Sequence, residues 1–165
     1  MWWSLRQLGE RGLTVLDIDN TLADTWPTLT CSWPSERARL RSIEPLAGMK
    51  AVAYDTAVAR GDLVVFLSHR NWWEWPITLL WLRGAGYRVG PTSLVLVADA
   101  ADKLAHLRQC VAAATGDVTY WDDLSHSHEH GDAVFYDDVI SEVRSMGLTY
   151  HGFDEIAAVV SPRVD

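Results

Sequence analysis

The sequence predicts an α/β domain built on a parallel sheet, and three observations carry that expectation. Short apolar runs (LTVLD at 13–17, LVVFL at 63–67, LVLV at 94–97 and VTYW at 118–121) alternate with stretches of helical periodicity, the order a parallel α/β sheet produces. LVVFL is too short and too apolar to be anything but a buried strand. Polar and ionisable residues gather at their C-terminal ends, where an open parallel sheet leaves a crevice.

The elements follow in order. Residues 13–17 form the first strand. Residues 22–45, rich in Trp, Pro, Ser and Arg, make a loop or short helix and not a folded cap domain. Residues 46–60 (LAGMKAVAYDTAVAR) read as a helix, with Pro45 at its start and Gly61 just past its end. LVVFL is the second strand. Residues 73–85 are helical, with Pro76 tolerated in the first turn. LVLV is the third strand. Residues 98–115 form a helix through Leu104, Leu107 and Val111, and Gly116 ends it. VTYW is the fourth strand and stops at Asp122 and Asp123. Residues 133–153 hold a short strand or turn, a helix over 138–146 and a final strand at 148–151. Without a repeat, a low-complexity linker or a second composition, residues 1–165 read as one domain with its core over 13–151.

Composition narrows the class. A 48% hydrophobic and 22% charged chain is that of an ordinary soluble globular protein. Its net charge of −8 makes it a poor general attractor for nucleic acid, which leaves only a local basic pocket for such a role. Cys31 and Cys110 form no CxxC and fit a reducing compartment. The N-terminal stretch carries Arg6, Glu10 and Arg11 without a long apolar core, unlike a signal peptide. No apolar run approaches the roughly 20 residues of a membrane span. A cytoplasmic setting is expected.

The strand ends then suggest a chemistry. The first strand ends at Asp17-Ile18-Asp19, the second at Ser68-His69-Arg70 and the fourth at Asp122-Asp123, while Lys103 opens the long helix. A phosphate monoester repels a carboxylate nucleophile unless cations sit between them. Asp17 and Asp122 are suited to hold Mg²⁺, a hard cation that shares oxygen ligands with phosphate. Lys103 and the Ser68 hydroxyl are suited to the remaining phosphoryl oxygens. One aspartate can then attack phosphorus while a second, two residues on, handles the proton. Such a division needs two carboxylates in different environments.

DIDNTLAD resembles the DxDxT signature of the haloacid dehalogenase (HAD) superfamily, and VVFLSHR, Lys103 and YWDDL stand in the order of its other three motifs. The resemblance spans residues 13–151. Within the superfamily, SHR with a Trp-containing helix, then K…DD and VRSMGLTYHGF, are similar to the 3′-phosphatases of phage polynucleotide kinases. The resemblance implies a three-layer Rossmann-like fold with no full cap domain. It implies Asp17 as nucleophile through an aspartyl-phosphate and Asp19 as general acid/base. It implies Mg²⁺ held by Asp17, the Asp19 carbonyl and Asp122, with Asp123 adjacent. Ser68 and Lys103 would bind the phosphoryl group, Thr21 would brace the loop at the phosphate end, and Arg70 would either reach phosphate or form a structural ion pair. Two positions depart from the pattern: Asn20 stands where Gly is commonest, and Leu124 where polynucleotide phosphatases have Arg. Asn tolerates left-handed backbone; Leu124 weakens the nucleic-acid reading.

Other features stay subordinate. His126, His128 and His130 alternate, but the flanking serines and Gly131 predict a solvated loop rim and not a zinc site. Cys110, Trp81 and Trp121 belong to the core. Trp26, Trp33, Trp72, Trp73 and Trp75 belong to the rim, where stacking on a base, a dimer interface or a cover for the sheet end are equal alternatives. Arg37, Arg39 and Arg41 form a basic patch near the mouth or a solvated helix face. Asp24 falls outside the signature. The expected function is Mg²⁺-dependent hydrolysis of a nucleotide or a nucleic-acid 3′-phosphate. The alternatives are a phosphatase of another small phosphorylated metabolite, or an idle HAD scaffold serving as an interaction module. Asp19 disfavours a dehalogenase.

Overall fold

The computed structural model of the chain describes residues 11–128, 131 and 133–161. Trp2, Trp3, Arg6, Glu10 and His130 lie outside the described residues. A five-stranded, all-parallel sheet carries the fold, in the order β5 (Leu94–Val97), β4 (Leu63–His69), β1 (Leu13–Leu16), β6 (Val118–Trp121) and β9 (Thr149–His151). The five strands read from the sequence are all present; the first and the last are each a residue shorter than expected, and the second runs on to His69.

Alternation along the strands sends side chains to two cores, because successive residues of a strand point to opposite faces. Leu16, Phe66, Leu94 and Trp121 face one layer, made by residues 47–60 (α3), α4 (Trp75–Gly84) and α7 (Phe153–Val160). Leu13, Val15, Val65, Leu67 and Tyr120 face the other, made by α5 (Asp102–Ala113) and α6 (Asp137–Ser145). This is the three-layer Rossmann-like arrangement. Each fully buried Leu or Phe contributes about 1.5–3 kcal/mol, so the sheet is the main store of stability.

Helix α3 is not uniform. It begins as α-helix (Ala47–Met49), widens into a π-helical stretch (Lys50–Asp55) and returns to α-helix (Thr56–Arg60). Met49, Ala53 and Ala57 are buried at a spacing of four, which the wider turn keeps on one face. Gly61, at φ 82°, ends the helix in the left-handed conformation. Helix α5 starts at Asp102, later than the apolar pattern suggested, because the Asp99 carboxylate accepts from Ala101 N and fixes a turn before it.

The insert over 22–45 holds two short helices, α1 (Trp26–Leu29) and α2 (Glu36–Ser42), closed by a two-residue ladder of β2 (Ala23–Asp24) with β3 (Glu44–Pro45). A second ladder pairs β7 (Ser125–His126) with β8 (Val134–Phe135). Helix α7 extends the core past residue 151: Ile156 is buried against the same layer as Met49 and Tyr54. Its apolar residues Phe153, Ile156, Ala157 and Val160 carried a helical period, and Gly152 N donates to the Glu155 carboxylate at its start. Among the described residues no helix is long and apolar enough to cross a membrane.

Candidate active site

Register sets the site. Leu16 lies level with Phe66 on one side and Trp121 on the other, so the residues after β1 and β6 emerge together at the sheet's C-terminal edge. The chain runs outward from β1 to β4 and β5, then crosses by α5 to β6. The reversal falls beside β1, where open α/β sheets form their crevice. A cavity of about 430 Å³ opens there, and Asp17, Asp19, Ser68, Arg70, Lys103, Asp122 and Asp123 all line it.

Lys103 is the hub. Its ammonium donates to Asp17 Oδ1 at 2.9 Å and to Asp122 Oδ2 at 2.6 Å, all three groups being buried. Tyr120, on the same strand face two residues before Asp122, donates its hydroxyl to Asp122 Oδ2. Leu124 N donates to Asp122 Oδ1 at 2.9 Å from a left-handed backbone position (φ 44°). Asp123 accepts from the Thr21 hydroxyl at 3.4 Å and from Ser125. Oxygens of Asp17, Asp122 and Asp123 lie within 4.8 Å of one another. Burial and the neighbouring Asp122 push the Asp17 carboxyl up to about 7 despite Lys103. Burial followed by the charges of Asp122 and Asp17 raises Asp123 well above the usual range. Burial alone would lower Lys103, but Asp122 and Asp17 hold it above its ordinary value.

Asp19 has the opposite environment. Burial would raise it, yet Arg70's charge and hydrogen bonds outweigh that and hold it at about 2. Arg70 Nε and Nη2 reach its two oxygens at 2.7 and 2.6 Å, while Thr25 donates at 2.7 Å and Ser68 at 3.3 Å. Arg70 also donates to Thr78, 3.2 Å away. The buried guanidinium is thus an ion-pair partner of Asp19, the second of the two roles weighed for it. Thr21 does not line the cavity; its fully buried hydroxyl braces Asp123 instead of facing phosphate. Asn20, at φ 57°, adopts the left-handed turn expected of it between the two acids and Thr21.

The mouth is partly covered. Trp26 of α1 meets His128 of the 125–135 segment, with ring centroids 3.3 Å apart. His126 and His128 also line the cavity, and His128 Nε2 hydrogen-bonds Ser125 Oγ at 2.7 Å. Arg39 is the one member of the Arg37, Arg39 and Arg41 trio that lines it, tied to Glu36 on its own helix and donating to Thr28 Oγ1 at 3.1 Å. Trp72 and Trp73, 77% and 58% exposed, do not line it. Trp75, Trp81 and Trp33 direct their indole N–H groups to backbone carbonyls of Leu94, Ile43 and Thr28. Sequence reasoning missed Tyr120, Thr25 and Ser125. Of these only Tyr120 carried a signal, through strand alternation with Asp122.

Fold and site together define a Rossmann-like α/β protein with an acidic, lysine-centred cavity at its strand ends. No protein-family model matches the chain, and no curated protein matches it.

Proposed function

We propose that this protein is a Mg²⁺-dependent phosphomonoester hydrolase in which Asp17 attacks phosphorus, with a nucleotide or a nucleic-acid 3′-phosphate as substrate. The observation that carries the reading is the Asp17–Lys103–Asp122 cluster with Asp123 beside it. It presents a nucleophilic carboxylate next to a fixed cation at the end of the central strand. Among the described residues no donor reaches Asp17 Oδ2, which leaves that oxygen for the attack.

The donor set fits a hard cation. Six carboxylates line the cavity (Asp17, Asp19, Glu36, Glu74, Asp122 and Asp123) against three permanent cations (Arg39, Arg70 and Lys103). Burial first, and then the charge of Asp122, raises both Asp17 and Asp123. Asp17, Asp122 and Asp123, whose oxygens lie within 4.8 Å of one another, are the side chains that would hold Mg²⁺. When bound, Mg²⁺ supplies positive charge that favours ionised Asp17 and screens phosphoryl oxygens from the acids.

The chain's own groups divide the remaining work. Lys103 keeps Asp17 oriented and offers charge to the phosphoryl group, and Ser68 adds a hydroxyl donor. Asp19, two residues on, moves the proton. Arg70 keeps Asp19 ionised, so protonating the leaving oxygen requires that hold to loosen as substrate enters. The cavity's 430 Å³ suits a molecule of mononucleotide size. The test is hydrolysis of an aryl phosphate with and without Mg²⁺. Wild type should require the metal, and Asp17→Asn should lose activity while keeping its circular dichroism; full activity in that variant refutes the proposal.

A further inference from the structure

Two polar atoms at the site are unaccounted for by the chemistry above. Among the described residues, Asn20 Oδ1 and Trp26 Nε1 are buried without a hydrogen-bond partner. One is an acceptor and the other a donor, and native structures rarely leave such atoms unpaired. Both residues line the catalytic cavity, and both also line an adjoining cavity of about 180 Å³. They stand where the two cavities meet.

The smaller cavity is mostly apolar, walled by Leu46, Phe153, Ile156, Ala157 and Val160, with α7 as one side. Two aromatic rings, Trp26 and Phe153, line the smaller cavity. Trp26 stacks towards Phe153 at 6.1 Å between centroids, and Phe135 meets Phe153 edge-on at 5.4 Å. We infer that this junction is the subsite for the substrate's leaving group and takes the base of a nucleoside phosphate.

The chemistry discriminates among leaving groups. A bare sugar would satisfy the two polar atoms but leave apolar and aromatic walls against hydroxyls. An alkyl chain would match the walls but leave Asn20 Oδ1 and Trp26 Nε1 unpaired. A planar nitrogen heterocycle does both: its faces stack on aromatic rings, and its edge offers acceptors and N–H donors. Asn20 and Trp26 line both cavities, so a ring in the smaller one can belong to the molecule whose phosphate meets Asp17. Trp72 and Trp73, the most exposed tryptophans among the described residues, line neither cavity and take no part.

The inference rests on the hydrolase reading for its phosphate end, so its test separates the two. Binding of nucleoside monophosphates and of ribose phosphate to Asp17→Asn with Mg²⁺ is measured by calorimetry, beside turnover by wild type. The nucleotide should bind about tenfold or more tightly than ribose phosphate, the worth of one stacked base. Ala157→Phe, which fills the small cavity, should erase that advantage. Trp26→Phe, which keeps the ring and removes the N–H, should reduce it several-fold if Ala157→Phe fails to fold. Equal binding of nucleotide and ribose phosphate overturns the base subsite, whatever the turnover, and so does an advantage that survives both substitutions. Base-dependent binding without Mg²⁺-dependent hydrolysis by wild type would instead sink the hydrolase reading and leave the subsite standing.

Discussion

Replacing Lys103 by Met tests the electrostatics of the site before any substrate is known. Lys103 is 3% exposed and its ammonium bridges Asp17 and Asp122 at 2.9 and 2.6 Å. Met keeps the length and the apolar stem but leaves Asp17, Asp122 and Asp123, each under 5% exposed, with no cation among them. Removing one partner from a buried ion pair costs about 3–5 kcal/mol. For a chain of this size that lowers the urea midpoint by about 2 M. The loss depends on pH. Lys103 lowers the Asp17 carboxyl to about 7, so without it that carboxyl is raised further and the full cost applies only well above 7. Well below 7 Asp17 takes up a proton and the cost shrinks. Urea unfolding followed by tryptophan fluorescence in metal-free buffer on both sides of pH 7 reads the effect, and Mg²⁺ should restore part of the variant's midpoint at the higher pH. A Lys103→Met midpoint equal to wild type above pH 7 without metal would refute the reasoning.

Three further outcomes follow from the same geometry. Asp17 is raised from 3.8 to about 7 by burial, so the unfolded chain gives up its proton first and the metal-free fold loses stability as pH rises between those values. Thermal melts of metal-free wild type should show that decline, with Mg²⁺ and Asp17→Asn each reducing it and the raised Asp123 accounting for what the variant keeps. Asp19→Asn should slow hydrolysis of alkyl phosphates by about 10²–10⁴-fold. An aryl phosphate, whose leaving group needs no proton, should be slowed far less, and equal losses would deny Asp19 the role. Asn20→Gly should keep the fold's stability while Asn20→Ala lowers it by about 1 kcal/mol, because φ is 57° there; denaturant titration of the pair checks this.

Much of this arrangement was legible in the chain. The strands showed as apolar runs because both faces of a parallel sheet are buried. Asp17, Ser68 and Asp122 announced themselves by standing at the run ends, and Lys103 by opening the long helix. What stayed hidden was set by tertiary packing. Arg70 could not be assigned between phosphate and an ion pair until Asp19 lay 2.6 Å from it. Thr21 turned inward because Asp123 needed a donor across 102 positions of sequence. Helix α7 lies beyond the core expected from the sequence, although its apolar residues carry a helical period and Ile156 packs in the core. The junction of Trp26 with His128 and Phe153 joins three separate segments, and no local pattern encodes it. Asp24, which sequence left at the pocket's edge, lines only the smaller cavity beside Trp26.

The central claim is that Asp17 carries the phosphoryl group. Acid quenching during turnover of an aryl phosphate with Mg²⁺, followed by peptide mass spectrometry, tests it most directly. The account predicts the added mass of one phosphoryl group on the peptide containing Asp17, and none when Mg²⁺ is withheld. Steady Mg²⁺-dependent turnover with that peptide unmodified, or with the phosphoryl group on another residue, would contradict it.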